Sequence, residues 1–117
     1  MSPRDWEERL QDILEAIGEI HTFTRGMDSG SFGADPKTMK AVELDLIVIG
    51  EAANQIPDQV QEQHPQIPWA LMRAMRNRLV HVYFSVDADL LWETIQGDLP
   101  VLEASLKSIV KELQELH

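Results

Sequence analysis

No cysteine occurs among the 117 residues, so neither a disulfide framework nor a thiolate metal site can form, and a cytoplasmic location is the simpler expectation. Long hydrophobic runs are missing as well. No stretch approaches the roughly 18 apolar residues of a membrane-spanning helix, and no positive-then-apolar leader opens the chain, so neither a span nor a signal peptide is expected. Sustained apolar-polar alternation, the sign of a half-buried strand, is also lacking. Positive charge is scarce: 10 Lys and Arg face 20 Asp and Glu, a net charge of −10. A surface of that sign argues against general coating of nucleic acid, because phosphate affinity comes largely from basic side chains that displace counterions.

What is present is the composition of a globular protein. With 44% hydrophobic and 26% charged residues, the chain is predicted to fold as a single domain, 1–117, large enough to bury a core. Helical periodicity runs through it. Trp6, Leu10, Ile13, Ile17 and Ile20 step by four and three, the mark of one buried helix face, behind a start signal of Ser2 as N-cap, Pro3 and Asp5. The glycine-rich residues 25–35 read as a loop, after which Asp35 caps a second helix that opens on Pro36 and stops before Pro57. Pro57, Pro65 and Pro68 leave room for one short turn. A third helix follows Pro68 with Trp69, Met72, Met75 and Leu79 as its stripe, and its period breaks near Val80 or His81. Asp87 caps a last helix from residue 88 to near the C-terminus, in which Pro100 is expected to produce a kink. The predicted architecture is all-α: a bundle of four main antiparallel helices with room for a short fifth.

The charge is unevenly spread. Residues 63–86 contain three arginines and no acid, a local +3, while the other 93 residues hold 7 basic and 20 acidic side chains, net −13. Charge alone is compatible with an anion site or with a partly buried helix that simply lacks acids. On a helix Arg73, Arg76 and Asn77 share one face, opposite the apolar stripe, and His81 follows Asn77 by four. Arg76 and His81 diverge by about 140° on a regular helix, so they converge with Tyr83 only if the helix ends near His81. Glu51, on the Leu44 and Ile47 side of the second helix, is a candidate ion-pair partner for Arg73 or Arg76, or an ordinary exposed glutamate.

These side chains suit cleavage of RNA through its own 2'-hydroxyl, in which one proton is removed, phosphate charge is neutralised and a proton is returned to the leaving oxygen. Arginine clamps phosphate oxygens and histidine exchanges protons near neutrality. No metal is called for: His21, His64, His81 and His117 have no paired ligand spacing and no acidic cluster accompanies His81. The plainer reading makes His81 a helix-terminal histidine and Tyr83 a packed aromatic.

"RNRLVHVY" matches the Arg-x4-His-x-Tyr motif of HEPN domains, with Arg76, His81 and Tyr83 in the fixed places. "RDWEERLQDILEAI", "VIGEAANQIP", "IPWALMRAMRNRLVHVYFSVD" and "LWETIQGDLP" further resemble the HepT-like toxins, so the likeness covers nearly the whole chain. That resemblance implies an all-helical HEPN fold, a homodimer whose two motifs face a shared cleft, and a metal-independent, cofactor-free endoribonuclease toxin. It implies that Arg76 positions or neutralises the phosphate and that His81 is the acid-base group. Arg73, Asn77, Arg78 and Tyr83 would support the RNA. It also implies a partner, a minimal nucleotidyltransferase of the MntA type that silences the toxin by transferring AMP to the motif tyrosine, here Tyr83. Two alternatives stay open: a non-catalytic HEPN partner that binds substrate or nucleotide for a separate nucleotidyltransferase, and a structural dimerisation module, which leaves the basic island unexplained.

Overall fold

The computed structural model describes the backbone of residues 3–81 and 87–116 and the side chains of residues 5–77 and 87–116. The order is α1 (Pro3–Thr24), α2 (Ser29–Gly33), α3 (Pro36–Asn54), α4 (Asp58–Gln63), α5 (Trp69–His81), α6 (Ala88–Glu93), a π-helical turn (Thr94–Asp98) and α7 (Leu99–Leu116). The fold is all-α, and no strand occurs among the described residues. Counting α6, the π turn and α7 as one continuous helix, four long helices make the bundle. No helix among the described residues is long and apolar enough to cross a membrane.

The long helices bury most of the face their periodicity marks, though Leu116 at the end of the last one is exposed and the Leu79 side chain lies outside the described residues. Leu10, Ile13, Ile17 and Ile20 of α1, Val42, Leu46, Ile49 and Ala53 of α3, and Leu102, Leu106 and Ile109 of α7 are all but inaccessible and form one core. At about 1.5–3 kcal/mol for each large side chain taken out of water, this layer supplies the driving force for folding. The caps fall where the sequence puts them. Asp35 accepts a hydrogen bond from the Thr38 backbone N–H, and Asp87 from those of Asp89 and Leu90. Ser2, the expected cap of α1, lies outside the described residues.

Two segments depart from expectation. The glycine-rich loop holds a short helix, α2, because Asp28 and Ser31 close a reciprocal capping box and Phe32 is fully buried, its ring 5.3 Å from that of Trp92; the local hydrogen bonds and one aromatic anchor outweigh three glycines. Pro100 acts through the turn before it. The Leu99 N–H bonds to the carbonyl of Thr94, five residues back, so the helix widens just upstream of the ring that a regular turn would have met.

Helix α3 sits between α1 and α5. Its approach to α5 is set by Gly50, where a methyl group would land on Cβ of Arg76 and 3.0 Å from the Met72 carbonyl oxygen. Helix propensity alone favours alanine over glycine by about 1 kcal/mol, but here the added carbon must push two backbones apart, and overpacking of this kind costs about 1–3 kcal/mol. Gly18, exposed on α1 with open space where a methyl group would sit, is the matched control. Urea unfolding is expected to show Gly18→Ala more stable and Gly50→Ala less stable than the parent; a stabilised Gly50→Ala would mean the helices do not touch there.

Candidate functional site

Arg76 projects from α5 over Gly50 and turns its Nε to Oε1 of Glu51 on α3, 2.6 Å away. Its Nη1 donates to Oδ1 of the adjacent Asn77 at 2.9 Å. Two acceptors thus fix the guanidinium plane, and a planar fork held at two points loses less freedom when an anion arrives. Of the two arginines that the sequence offers to Glu51, the structure selects Arg76. The pair is 30% and 47% exposed at its two side chains, so its value lies in orientation more than in stability.

Arg73, one turn earlier, has a different holder. Its Nη1 donates to Oε1 of Gln61 at 2.8 Å, and the Gln61 amide nitrogen in turn donates to the carbonyls of Ile56 at 3.0 Å and Ala53 at 3.3 Å. Among the described residues Arg73 forms no ion pair. Helix α5 is described as far as His81, the position at which convergence with Tyr83 would require the helix to end. The side chains of Arg78 and His81 and the whole of Tyr83 lie outside the described residues. Two other histidines are occupied elsewhere: His21 is 3.4 Å from Glu103, and the His64 ring lies 6.1 Å from that of Trp6. Among the described residues, no three His, Asp or Glu side chains come together to hold a metal ion.

Three further residues matter to the site. Gly50 is legible in the sequence as a glycine inside an apolar helix. Gln61 carries no signal, since its partners come from three different segments. Asp45 falls four before Ile49 and three after Val42, on the core stripe of α3, and an acid in that place is a visible anomaly. It is buried, its Oδ2 accepts no hydrogen bond, and it faces Glu15 and Glu19 of α1 across a groove of about 510 Å3. Burial first, then a hydrogen bond with Glu19 that requires one of the two carboxyls to be protonated, then the charges of Glu19 and Glu15 push its carboxyl up to about 7, since each disfavours the ionised form.

The chain has clear relatives among known proteins. The family described as ribonuclease HepT-like matches residues 13–109. A Thermococcus cleftensis protein named "Probable ribonuclease HepT" is 42% identical over 108 residues, covering 92% of this chain and 98% of the relative. A Methanocaldococcus jannaschii protein described as a candidate RNase is 37% identical over 115 residues, 98% of this chain and 99% of its own length. A Caldanaerobacter subterraneus protein, likewise described, is 33% identical over 103 residues, 88% and 92% of the two chains. No solved structure matches the chain.

Asp45 carries a pH signature. The unfolded chain gives up this proton near 4 and the folded protein near 7, so the folded state binds more protons between those values and stability falls as pH rises through that window. Asp45→Asn removes the buried charge. Thermal melts are expected to place its midpoint roughly 4 °C or more above the parent at pH 8, the shift that about 1 kcal/mol produces in a domain of this size, with the gap closing towards pH 4. A gap that is the same at both pH values would rule this origin out.

Proposed function

The chain belongs to the ribonuclease HepT-like family, and from that premise we propose that it is a metal-independent endoribonuclease toxin that cuts RNA with Arg76 and His81. The observation that carries the reading is the guanidinium of Arg76, fixed by Glu51 and Asn77 on the helix that leads to His81 five residues on. In the cut, His81 takes the proton of a 2'-hydroxyl and the 2'-oxygen bonds to the adjacent phosphorus. The bond from phosphorus to the 5'-oxygen breaks, and that oxygen receives a proton. The products are a 2',3'-cyclic phosphate and a free 5'-hydroxyl. Arg76 faces the charge that develops on the phosphoryl oxygens. General acid-base help is worth about 10² to 10⁴ in rate, or roughly 3–5 kcal/mol, and preplaced donors add a comparable amount.

A second copy completes the site. Leu44 is 62% exposed and Val48 37%, and they share the outward stripe of α3 with Ile47 and Glu51, so an apolar patch adjoins Arg76. Pairing two copies across it would bring two arginine strips to one cleft and supply a second histidine for the leaving oxygen. Regulation by AMP transfer fits the same reading. A minimal nucleotidyltransferase that joins the Tyr83 oxygen to the α-phosphorus of ATP, releasing pyrophosphate, places a phosphate and an adenosine beside the arginines and excludes RNA.

Purified protein incubated with total RNA in chelator is expected to cleave it, with Arg76→Ala and His81→Ala each slower by at least about 10². Cleavage that survives both substitutions, or none by the parent, would favour the non-catalytic HEPN reading. Treatment with the nucleotidyltransferase and ATP is expected to silence the parent and leave Tyr83→Phe active. Light scattering at micromolar concentration is expected to give a dimer for the parent and a monomer for Leu44→Asp; a monomeric parent would refute the shared cleft.

A further inference from the structure

A second groove, about 500 Å3, lies along the junction of α4 and α5 with Arg73 among the residues that line it. We propose that it is a nucleotide subsite beside the cut, in which Arg73 holds a phosphate of the strand and the groove takes the attached sugar and base. The proposal rests on the ribonuclease reading above and extends it from Arg73 to Gln61 and the groove beside it, which that reading leaves without a role.

The two arginines differ in what holds them. Glu51 gives Arg76 its orientation but also cancels much of its charge. Arg73 is oriented by a neutral amide and among the described residues forms no ion pair. The direction of that amide follows from its neighbours: backbone carbonyls only accept and a guanidinium only donates, so Nε2 of Gln61 must face Ile56 and Ala53 and Oε1 must face Arg73. Gln61 therefore aims a guanidinium that no described acid holds in an ion pair. It acts through Arg73 and is a positioning residue.

The lining of the groove suits a base. Pro65 and Pro68 give it apolar surface against which a base can lie, backed by the buried Trp69. Trp69 is itself fixed by its indole N–H, which donates to the His64 carbonyl at 3.0 Å. Asp58 and Glu62 stand on the same groove. They repel a second phosphate but can accept hydrogen bonds from base amino groups and ribose hydroxyls, so the groove admits the uncharged part of one nucleotide and leaves the phosphate to Arg73. Arg73 and Arg76 are one turn apart on one face of α5, about 4.5 Å along its axis. A strand whose scissile phosphate rests on Arg76 therefore runs past Arg73.

The test reads binding without cleavage. A short fluorescein-labelled 2'-O-methyl oligoribonucleotide, whose blocked 2'-oxygens cannot attack, is titrated by anisotropy across a range of KCl concentrations. Arg73→Gln is expected to bind about 10-fold more weakly and to flatten the slope of log affinity against log salt by about 1. Gln61→Glu sets a carboxylate against Arg73 and should do the same, whereas Arg73→Lys should recover most of the loss. Ala70→Glu adds an acid to the exposed wall of the groove, in the first turn of α5 where an acid suits the helix; it should weaken binding about 3-fold or more with an unchanged melting temperature, which separates a lost subsite from a damaged fold. Parental affinity in both Arg73→Gln and Ala70→Glu, or no binding by the parent, overturns the proposal. If the parent cuts RNA but these variants bind normally, the subsite fails alone. If binding falls as expected but the parent cuts nothing, the ribonuclease reading fails while the groove stands as a nucleotide-binding site.

Discussion

The close approach of α3 to α5 at Gly50 is the constraint on which the site depends. Without a side chain at that position, α5 lies near enough for Cβ of Arg76 to occupy the space a methyl group would fill. Glu51, the next residue, is then within reach of the Arg76 guanidinium at 2.6 Å. Packing and polarity are therefore set by adjacent residues of one helix, the glycine fixing distance and the glutamate fixing direction. On its opposite flank α3 packs against α1, so the same helix that holds Glu51 against Arg76 is anchored in the core through Val42, Leu46 and Ile49. A rigid element beneath the arginines is what a preorganised charge requires, since a site built on a packed helix holds its geometry better than one on a loop.

The strong negative charge is disposed so that it does not cancel the island evenly. Glu51 lies against Arg76, at the edge of the same α1–α3 groove that the cluster of Glu15, Glu19 and Asp45 lines. The cluster relieves itself by holding a proton: burial and the two neighbouring acids leave Asp45 near 7, so at neutral pH part of that charge is absent. α3 thus carries a helix-packing face, an acid-pairing face and the contact to α5 within about two turns. Its sequence, "VELDLIVIGEAAN", is constrained at almost every position for a different reason.

Much of this is legible in the order of residues. The core stripes of α1, α3 and α7 and the caps Asp35 and Asp87 follow from spacing and residue type, since both signals are local. Helix α2 is hidden because its glycine content points to a loop more strongly than the Asp28 and Ser31 capping pair points to a helix, and because burial of Phe32 against Trp92 joins residues far apart in the chain. Glu51 can be named as a partner for Arg73 or Arg76, but choosing between them needs the crossing point of α3 and α5. Gln61 has no sequence signal at all. Its role comes from three hydrogen bonds that join the end of α3, α4 and α5, a meeting that only the fold creates.

How so small a positive island can serve an acidic nuclease follows from the range of the forces. At physiological ionic strength charges more than about 8 Å apart are largely screened, so phosphates on Arg76 and Arg73 would feel those side chains and the nearby acids, Glu51 beside Arg76 and Asp58 and Glu62 on the groove of Arg73, more than the acids farther off. The distant acids matter for the rest of the ligand. A strand that touches only the island gains the local attraction, whereas a long or double-stranded nucleic acid must lay further phosphates along an acidic surface and loses part of that gain at each one. If Arg73 and Arg76 receive phosphates as proposed, the protein's charge would act as a filter on substrate shape, favouring an exposed, single-stranded stretch that reaches the arginines over bulk duplex. In that arrangement the excess of acid is compatible with phosphate chemistry because the two act over different distances, and selectivity would arise from the contrast between them.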